Sequence, residues 1–261
     1  MYSSFEFLGI AFDLAILTYF IGTLIMGLPI PVYGLKKWGP KLISDGIYSA
    51  VLVNLFELIL YVSQEISSAI GASWANFYQW IYEVIAQELN IFFLVKVLYA
   101  VAAASEDPAL NVLMSPLLFI FSFLTGLITT METILIISYI VLQDNGLFIA
   151  MGILLMALPF RIGRSIGGAL IGFAVVFYIG LPYLPNFLTG LGMNLLNMSN
   201  VNTNNTQDFV TFLITYAIPY LIESTVVLPT AYITILSGLS LGLGSAISGY
   251  SSRLPIPIDI F

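Results

Sequence analysis

Residues 109–142 read ALNVLMSPLLFIFSFLTGLITTMETILIISYIVL, an apolar run in which Glu132 is the one charged side chain. A helix over the whole run would be about 51 Å long at 1.5 Å per residue. A bilayer's hydrocarbon core is roughly 30 Å thick. The run therefore belongs in a membrane, where it must tilt, project into water or break, and Gly126 with Thr129–Thr130 marks the expected break. Asp144-Asn145-Gly146 then reads as a tight turn. Residues 147–160 form a short apolar segment, compatible with a thinned or half-inserted helix.

The same conclusion follows from the chain as a whole. Of 261 residues, 59% are hydrophobic and 8% charged, with mean hydropathy +1.01. Soluble domains carry roughly 25% charged residues, so too few polar side chains are present to coat a water-facing surface. That excludes a soluble domain and a disordered chain. The apolar residues come in long unbroken runs, not in alternating segments of about ten, which argues against a membrane β-barrel. Cys and His are both absent. Thiolate zinc sites, iron–sulfur clusters, His-ligated haem, disulfides and Cys or Ser–His nucleophile schemes fall with them. No catalytic set and no cofactor signature is visible, so the expectation is a non-enzyme without a cofactor. The net charge of −7 and pI near 4.3 provide no general basic face for nucleic acid.

Apolar runs at 7–32, 47–62, 84–104, 109–142, 147–160, 165–185 and 209–248 predict an all-α, polytopic transmembrane helix bundle. The expectation is about seven spans in a single integral membrane domain over 1–261. The aromatic segment 71–83 has the composition of an interfacial belt. Either 109–142 or 209–248, the latter interrupted by Pro219 and Pro229, could instead fold as a hairpin. Basic residues set the orientation. With the N-terminus outside and the C-terminus cytoplasmic, Lys36, Lys37, Lys41, Arg161, Arg164 and Arg253 all fall on the cytoplasmic side, a positive-inside pattern for a multi-pass plasma-membrane protein. The polar loop at about 186–208 is then external. It carries two candidate glycosylation sites, Asn197 and Asn204, in sequons that also arise by chance in an Asn-rich stretch.

Charges inside apolar runs are costly, roughly 2.5–3.5 kcal/mol each on insertion scales. Asp13, Glu57, Glu88, Lys96, Glu132 and Glu223 are so placed. They could line a water path, pair between helices or snorkel. Glu88 lies toward the outer end of its run, which favours snorkelling or an interhelical bond. Asp13, Glu57, Glu132, Glu223 and Lys96 remain the pore or pairing candidates. The stretch 159–173, PFRIGRSIGGALIGF, is the most distinctive. Gly163/Gly167 and Gly168/Gly172 are small-xxx-small steps that allow close helix approach. Arg161 and Arg164 share a face at a helix start, where the helix dipole disfavours cations. A lipid phosphate, a Glu of a neighbouring segment or an anionic substrate could hold them. A plain cytoplasmic anchor is the simplest alternative. The small-residue stretch 237–249 suits packing within one bundle or between subunits.

The long helix, the short one and the 159–173 stretch together resemble the CedA family, polytopic membrane components of the crenarchaeal exchange-of-DNA system. That family is in turn similar to the TrbL-like channel-region components of bacterial conjugation machines, relatives of type IV secretion. The resemblance covers the C-terminal two-thirds, and residues 1–110 add little to it. It implies DNA import between cells through a membrane channel or scaffold, with DNA as possible cargo. It implies a separate hexameric ATPase on the cytoplasmic side, small pilin-like membrane subunits and a homo-oligomer seated in membrane lipid. Arg161 and Arg164 would then sit at the cytoplasmic mouth, near DNA phosphates or the motor. An ion-coupled secondary transporter, using the intramembrane carboxylates and the proline-interrupted last run, is the rival reading. A passive membrane scaffold is the third.

Overall fold

In lipid every backbone N–H and C=O must be bonded within the protein, so a chain this apolar has helices as its available element. The computed structural model describes residues 4–29, 36–104, 114–194 and 206–249, and among them every regular element is helical. The order is α1 (Ser4–Gly27), α2 (Trp38–Asn54), α3 (Phe56–Ala69), α4 (Trp74–Ala104), α5 (Met114–Ala157), a 3₁₀ turn (Pro159–Arg161), α6 (Arg164–Gly180), a second 3₁₀ turn (Leu181–Tyr183) and α7 (Leu184–Gly190). A last long helix follows as α8 (Thr206–Phe212), a π-helix (Leu213–Ala217), α9 (Ile218–Leu221), a second π-helix (Ile222–Val227) and α10 (Leu228–Ser248). Among the described residues, five helices are long and apolar enough to cross a membrane: Ser4–Gly27, Trp74–Ala104, Ser115–Ala157, Arg164–Gly190 and Phe209–Ser248. The pair α2–α3, bent by 56° at Leu55, passes the same test when taken together.

Two expected interruptions are absent. The break at Gly126 and Thr129–Thr130 and the turn at Asp144-Asn145-Gly146 both lie inside α5, a 44-residue helix that joins two segments counted separately in the sequence. The threonines do not break it because their hydroxyls bond back onto the helix. Thr125, Thr129, Thr130 and Thr133 donate to the carbonyls of Phe121, Thr125, Gly126 and Thr129, four residues earlier. Each polar group is thereby satisfied without opening the backbone. Downstream, the helical cost of Asn145 and Gly146, up to about 1 kcal/mol for a Gly, is met by packing. Ile149, Ala150, Ile153, Met156 and Ala157 are all buried, so 147–157 is the buried end of a long helix and not a half-inserted short one.

The last run is likewise one helix and not a hairpin, continuous over Phe209–Ser248. Its prolines are absorbed by widening. Ile218, just before Pro219, donates to the Leu213 carbonyl, and Leu228, just before Pro229, donates to the Glu223 carbonyl. These five-residue steps relieve the clash a proline ring makes with the carbonyl four positions earlier.

The described residues group into two compact units. One contains α1–α3, α5 from Ile140 onward, α6 and α10 from Thr234. Its core joins Leu8 and Ala11 of α1, Leu52 and Phe56 of α2–α3, the end of α5, and Ile171 and Ala174 of α6. Here α1 and α2 form an antiparallel seam of small residues. Gly22 faces Gly39 and Ile43, and Gly46 faces Ala15 and Tyr19. The other unit contains α4, α5 up to Tyr139, α7 and the last helix up to Ile233. Its core joins Ile91 and Val95, four apolar residues of α5 from Leu117 to Leu127, and Phe209, Val210, Leu213, Ala217 and Leu221.

The glycines of 159–173 pack inside the first unit. Gly167 lies on Gly152 of α5, and Gly168 and Gly172 lie on Ser240, Gly244 and Ser248 of α10. Gly163 caps the start of α6 against Leu155. A Cβ on Gly168 would come within 2.5 Å of the Gly244 carbonyl oxygen. Gly168→Val or Gly172→Val is expected to lower stability by about 1–3 kcal/mol through overpacking. Gly126→Ala, in open space, should be neutral or stabilising by up to about 1 kcal/mol. Thermal unfolding of the detergent-purified protein measures both, and a destabilised Gly126→Ala would contradict the unbroken helix.

Candidate functional site: a basic cluster tied to one carboxylate

The two arginines singled out by sequence meet at a residue that sequence reading passed over. Asp45, on the buried face of α2, accepts from Arg161 through both oxygens, at 2.6 Å from Nε and 2.8 Å from Nη2. Arg164 at the start of α6 also donates to Asp45 through Nη1. A neighbouring carboxylate therefore holds the pair, an aspartate where a glutamate was the sequence-based candidate. The side chains are 11% exposed for Asp45, 26% for Arg161 and 14% for Arg164. A forked guanidinium–carboxylate pair in such a setting fixes geometry as well as charge. Arg164 stacks in addition over the Tyr48 ring, 5.2 Å from its centroid.

Asp45 belongs to one turn of α2 that fastens several helix ends. The Tyr48 hydroxyl donates to the Ile247 carbonyl in the last turn of α10, at 2.8 Å. The Ser49 hydroxyl donates to the Met156 carbonyl near the end of α5, at 3.3 Å, and Thr18 of α1 donates to the next carbonyl, Ala157, at 3.0 Å. The last carbonyls of a helix have no partner within it, and these hydroxyls supply one. The link between α5 and α6 is held in an uncommon backbone state. Phe160 and Arg161 both have positive φ, 62° and 64°. Left-handed conformations cost non-glycine residues of order 1–3 kcal/mol each. Asp45 holds Arg161 in place, and Trp38 at the start of α2 holds Phe160 edge-on, with ring centroids 6.2 Å apart.

Among the described residues, one carboxylate here faces two guanidiniums. Lys41 adds a further positive charge, with its ammonium 5.5 Å from the Trp38 ring centroid, and Lys36 and Lys37 lie exposed just before α2. The structure thus brings the basic residues of 36–41 and 161–164 to one end of the first unit. Arg253 lies outside the described residues, as do residues 195–205 of the polar 186–208 loop, with the sequon residues Asn197 and Asn204.

The other candidates are placed differently. Asp13, Glu57, Lys96, Glu132 and Glu223 are all exposed on the sides of their helices. Among the described residues none of the five is ion-paired with another. Glu88, expected to snorkel or to bond between helices, is completely buried. Asp45 was missed because it sits in the short basic segment ahead of an apolar run and not within one. The signal was present in the helical spacing of Asp45, Tyr48 and Ser49, which sets three polar side chains on neighbouring positions of one turn.

Helices of this length and hydropathy define a polytopic helical membrane protein. Residues 1–69 match the family model described as DNA import protein CedA1. Across all 261 residues the chain is 38% identical to DNA import protein CedA of Sulfolobus acidocaldarius, covering the whole of both proteins. The chain belongs to the CedA family. No solved structure matches it.

Asp45→Asn would leave two largely buried guanidiniums facing a neutral amide. Removing one partner of a buried pair typically costs about 3 kcal/mol or more. A matching fall in the unfolding midpoint of the purified protein is expected. A change within the scatter of surface substitutions, about 0.5 kcal/mol, would show that the cluster is peripheral.

Proposed function

We propose that the chain is a non-enzymatic membrane subunit of a DNA import machine. The observation that carries this reading is the full-length relationship to a protein named for DNA import. The chain has no nucleotide-binding motif, so a separate ATPase on the cytoplasmic side supplies the energy, and small pilin-like membrane subunits complete the assembly. The protein is a multi-pass resident of the plasma membrane with its N-terminus outside.

The basic end of the first unit supports a cytoplasmic orientation for 36–41 and 161–164. Bilayer proteins keep Lys and Arg on that side. The same cluster suits the cytoplasmic mouth of a DNA passage, where phosphate contacts position the polymer without reading its sequence. Arg161 is engaged with Asp45, so Lys36, Lys37 and Lys41 are the side chains best placed for such contacts, and the arginines set the frame behind them.

Exposed charges on apolar helices support self-assembly. Lys96, Glu132 and Glu223 are exposed, and facing lipid each would cost roughly 2.5–3.5 kcal/mol. A water-lined passage or a neighbouring copy removes that cost. Opposite signs on the same unit favour a second copy of this chain.

Two measurements test the proposal. A deletion strain should lose DNA transfer between cells, and Lys36→Ala/Lys37→Ala/Lys41→Ala should impair transfer while the protein still inserts. Normal transfer in the deletion strain would reject the reading. Orientation is read from single cysteines, because the chain has none of its own. Asn204→Cys should react with an impermeant thiol reagent from outside and Lys37→Cys only after permeabilisation, and the reverse pattern would invert the topology.

A further inference from the structure

Glu88 sits in the middle of α4 with no exposed surface, and neither carboxyl oxygen has a hydrogen-bond partner. The Thr225 hydroxyl lies beside it. That hydroxyl donates its own hydrogen to the Leu221 carbonyl, at 2.7 Å, and so offers Glu88 only lone pairs. Neither oxygen accepts a hydrogen bond here, so an ionised carboxylate would have to draw the Thr225 hydroxyl away from Leu221. A carboxylic acid has somewhere to donate.

Among the described residues no counter-charge lies beside it. On α4 itself the nearest ionisable side chains, Glu83 and Lys96, are exposed, and Glu83 accepts from Gln79. Along the last helix Glu223 is exposed, and Tyr220 is bonded to the backbone of Asn194. On α5, Glu132 is exposed and Tyr139 pairs with Tyr82. The short helix α7, packed on α4, carries no ionisable residue. An unpaired buried ion costs several kcal/mol, so the occupant that fits is one that removes the charge.

A small cavity reaches Thr225, the neighbour of Glu88, and not Glu88 itself. Thr225 lines this cavity of about 20 Å³ together with Gln87, Asn194, Tyr220 and Ser224. That volume and polarity suit a single water molecule. Thr225 and Ser224 belong to the π-helix Ile222–Val227, the widened turn forced by Pro229. Such turns interrupt regular bonding and recur at functional sites.

We propose that Glu88 is a proton-binding site of this protein, built from the α4 carboxyl and the π-turn hydroxyl of Thr225. On binding, a proton from cavity water forms the carboxyl O–H bond, and that O–H donates to Thr225 Oγ1. Release returns the proton to the water and leaves a bare carboxylate, which is stable only if the π-turn moves to solvate it. Occupancy is thereby tied to the conformation of the last helix. The proposal does not depend on the cargo being DNA, and its test uses no DNA.

The test is reaction of the purified full-length protein with dicyclohexylcarbodiimide, which modifies protonated carboxyls in apolar surroundings, followed by peptide mapping. At neutral pH the expected result is an adduct on Glu88 that is lost in Glu88→Gln and falls severalfold as the pH is raised. Glu88→Gln, a neutral mimic of the acid, should elute and unfold as the wild type does. No adduct on Glu88, or labelling that ignores pH, would overturn the proposal. So would a marked loss of stability in Glu88→Gln, which would reveal an ionised, paired carboxylate. Protection by sodium at fixed pH would assign the site to that ion and equally overturn the proton.

Discussion

One carboxylate between two guanidiniums organises the first unit of this protein. In water the pair of contacts would be worth little. Where the groups are this far buried the same contacts matter more, because an unpaired guanidinium has little solvent to turn to. Asp45 therefore fixes where α6 begins relative to α2. The hydroxyls of Tyr48 and Ser49, one turn along, then find the open ends of α10 and α5. The glycine contacts between α6 and α10 and between α6 and α5 hold the same arrangement further along the helices. Polar geometry sets the register and small residues let the backbones close on it.

This division of labour explains what could be read in advance. Composition alone made the chain helical and membrane-bound, since no other element satisfies its backbone in lipid. The 159–173 glycines were legible because close approach leaves a fixed small-residue spacing, and they do pack helix on helix. The interruptions in α5 were not legible. Gly, Asn, Asp and Thr carry turn preferences measured against water, and inside an apolar helix the alternative to staying helical is an unsatisfied backbone. Threonine hydroxyls that bond their own helix turn a nominal breaker into a neutral residue. The prolines of the last helix misled for a related reason, because a π-turn accommodates a proline without ending the helix.

The candidate site was half visible. Both arginines were chosen for sitting where the helix dipole disfavours them, and that reasoning demanded a partner. It could not name Asp45, because the pairing spans more than a hundred residues of chain. Nor did the N-terminal third look informative beside the 159–173 stretch. Yet residues 1–69 are the part that matches the family model, and they contain the antiparallel α1–α2 seam with Gly22, Gly39 and Gly46. Its glycines are spaced along two different helices, so the pattern emerges only once the helices are laid side by side. Glu88 shows the converse. Its place along the chain suggested snorkelling or an interhelical bond, and its complete burial is something no single-sequence pattern encodes for a lone carboxylate.

The left-handed pair Phe160–Arg161 gives the α5–α6 link the character of a cocked spring. Its unfavourable dihedrals are maintained from outside, by Trp38 on one residue and Asp45 on the next. A segment held in this way does not loosen gradually. Once the carboxylate lets go, the backbone gains by rotating back to the right-handed region, and return requires that energy again. The ends of three helices are fastened to the same turn of α2, so the release is shared among them. The shape of the basic end therefore depends on one turn of α2, whose contacts offset the cost of the left-handed pair.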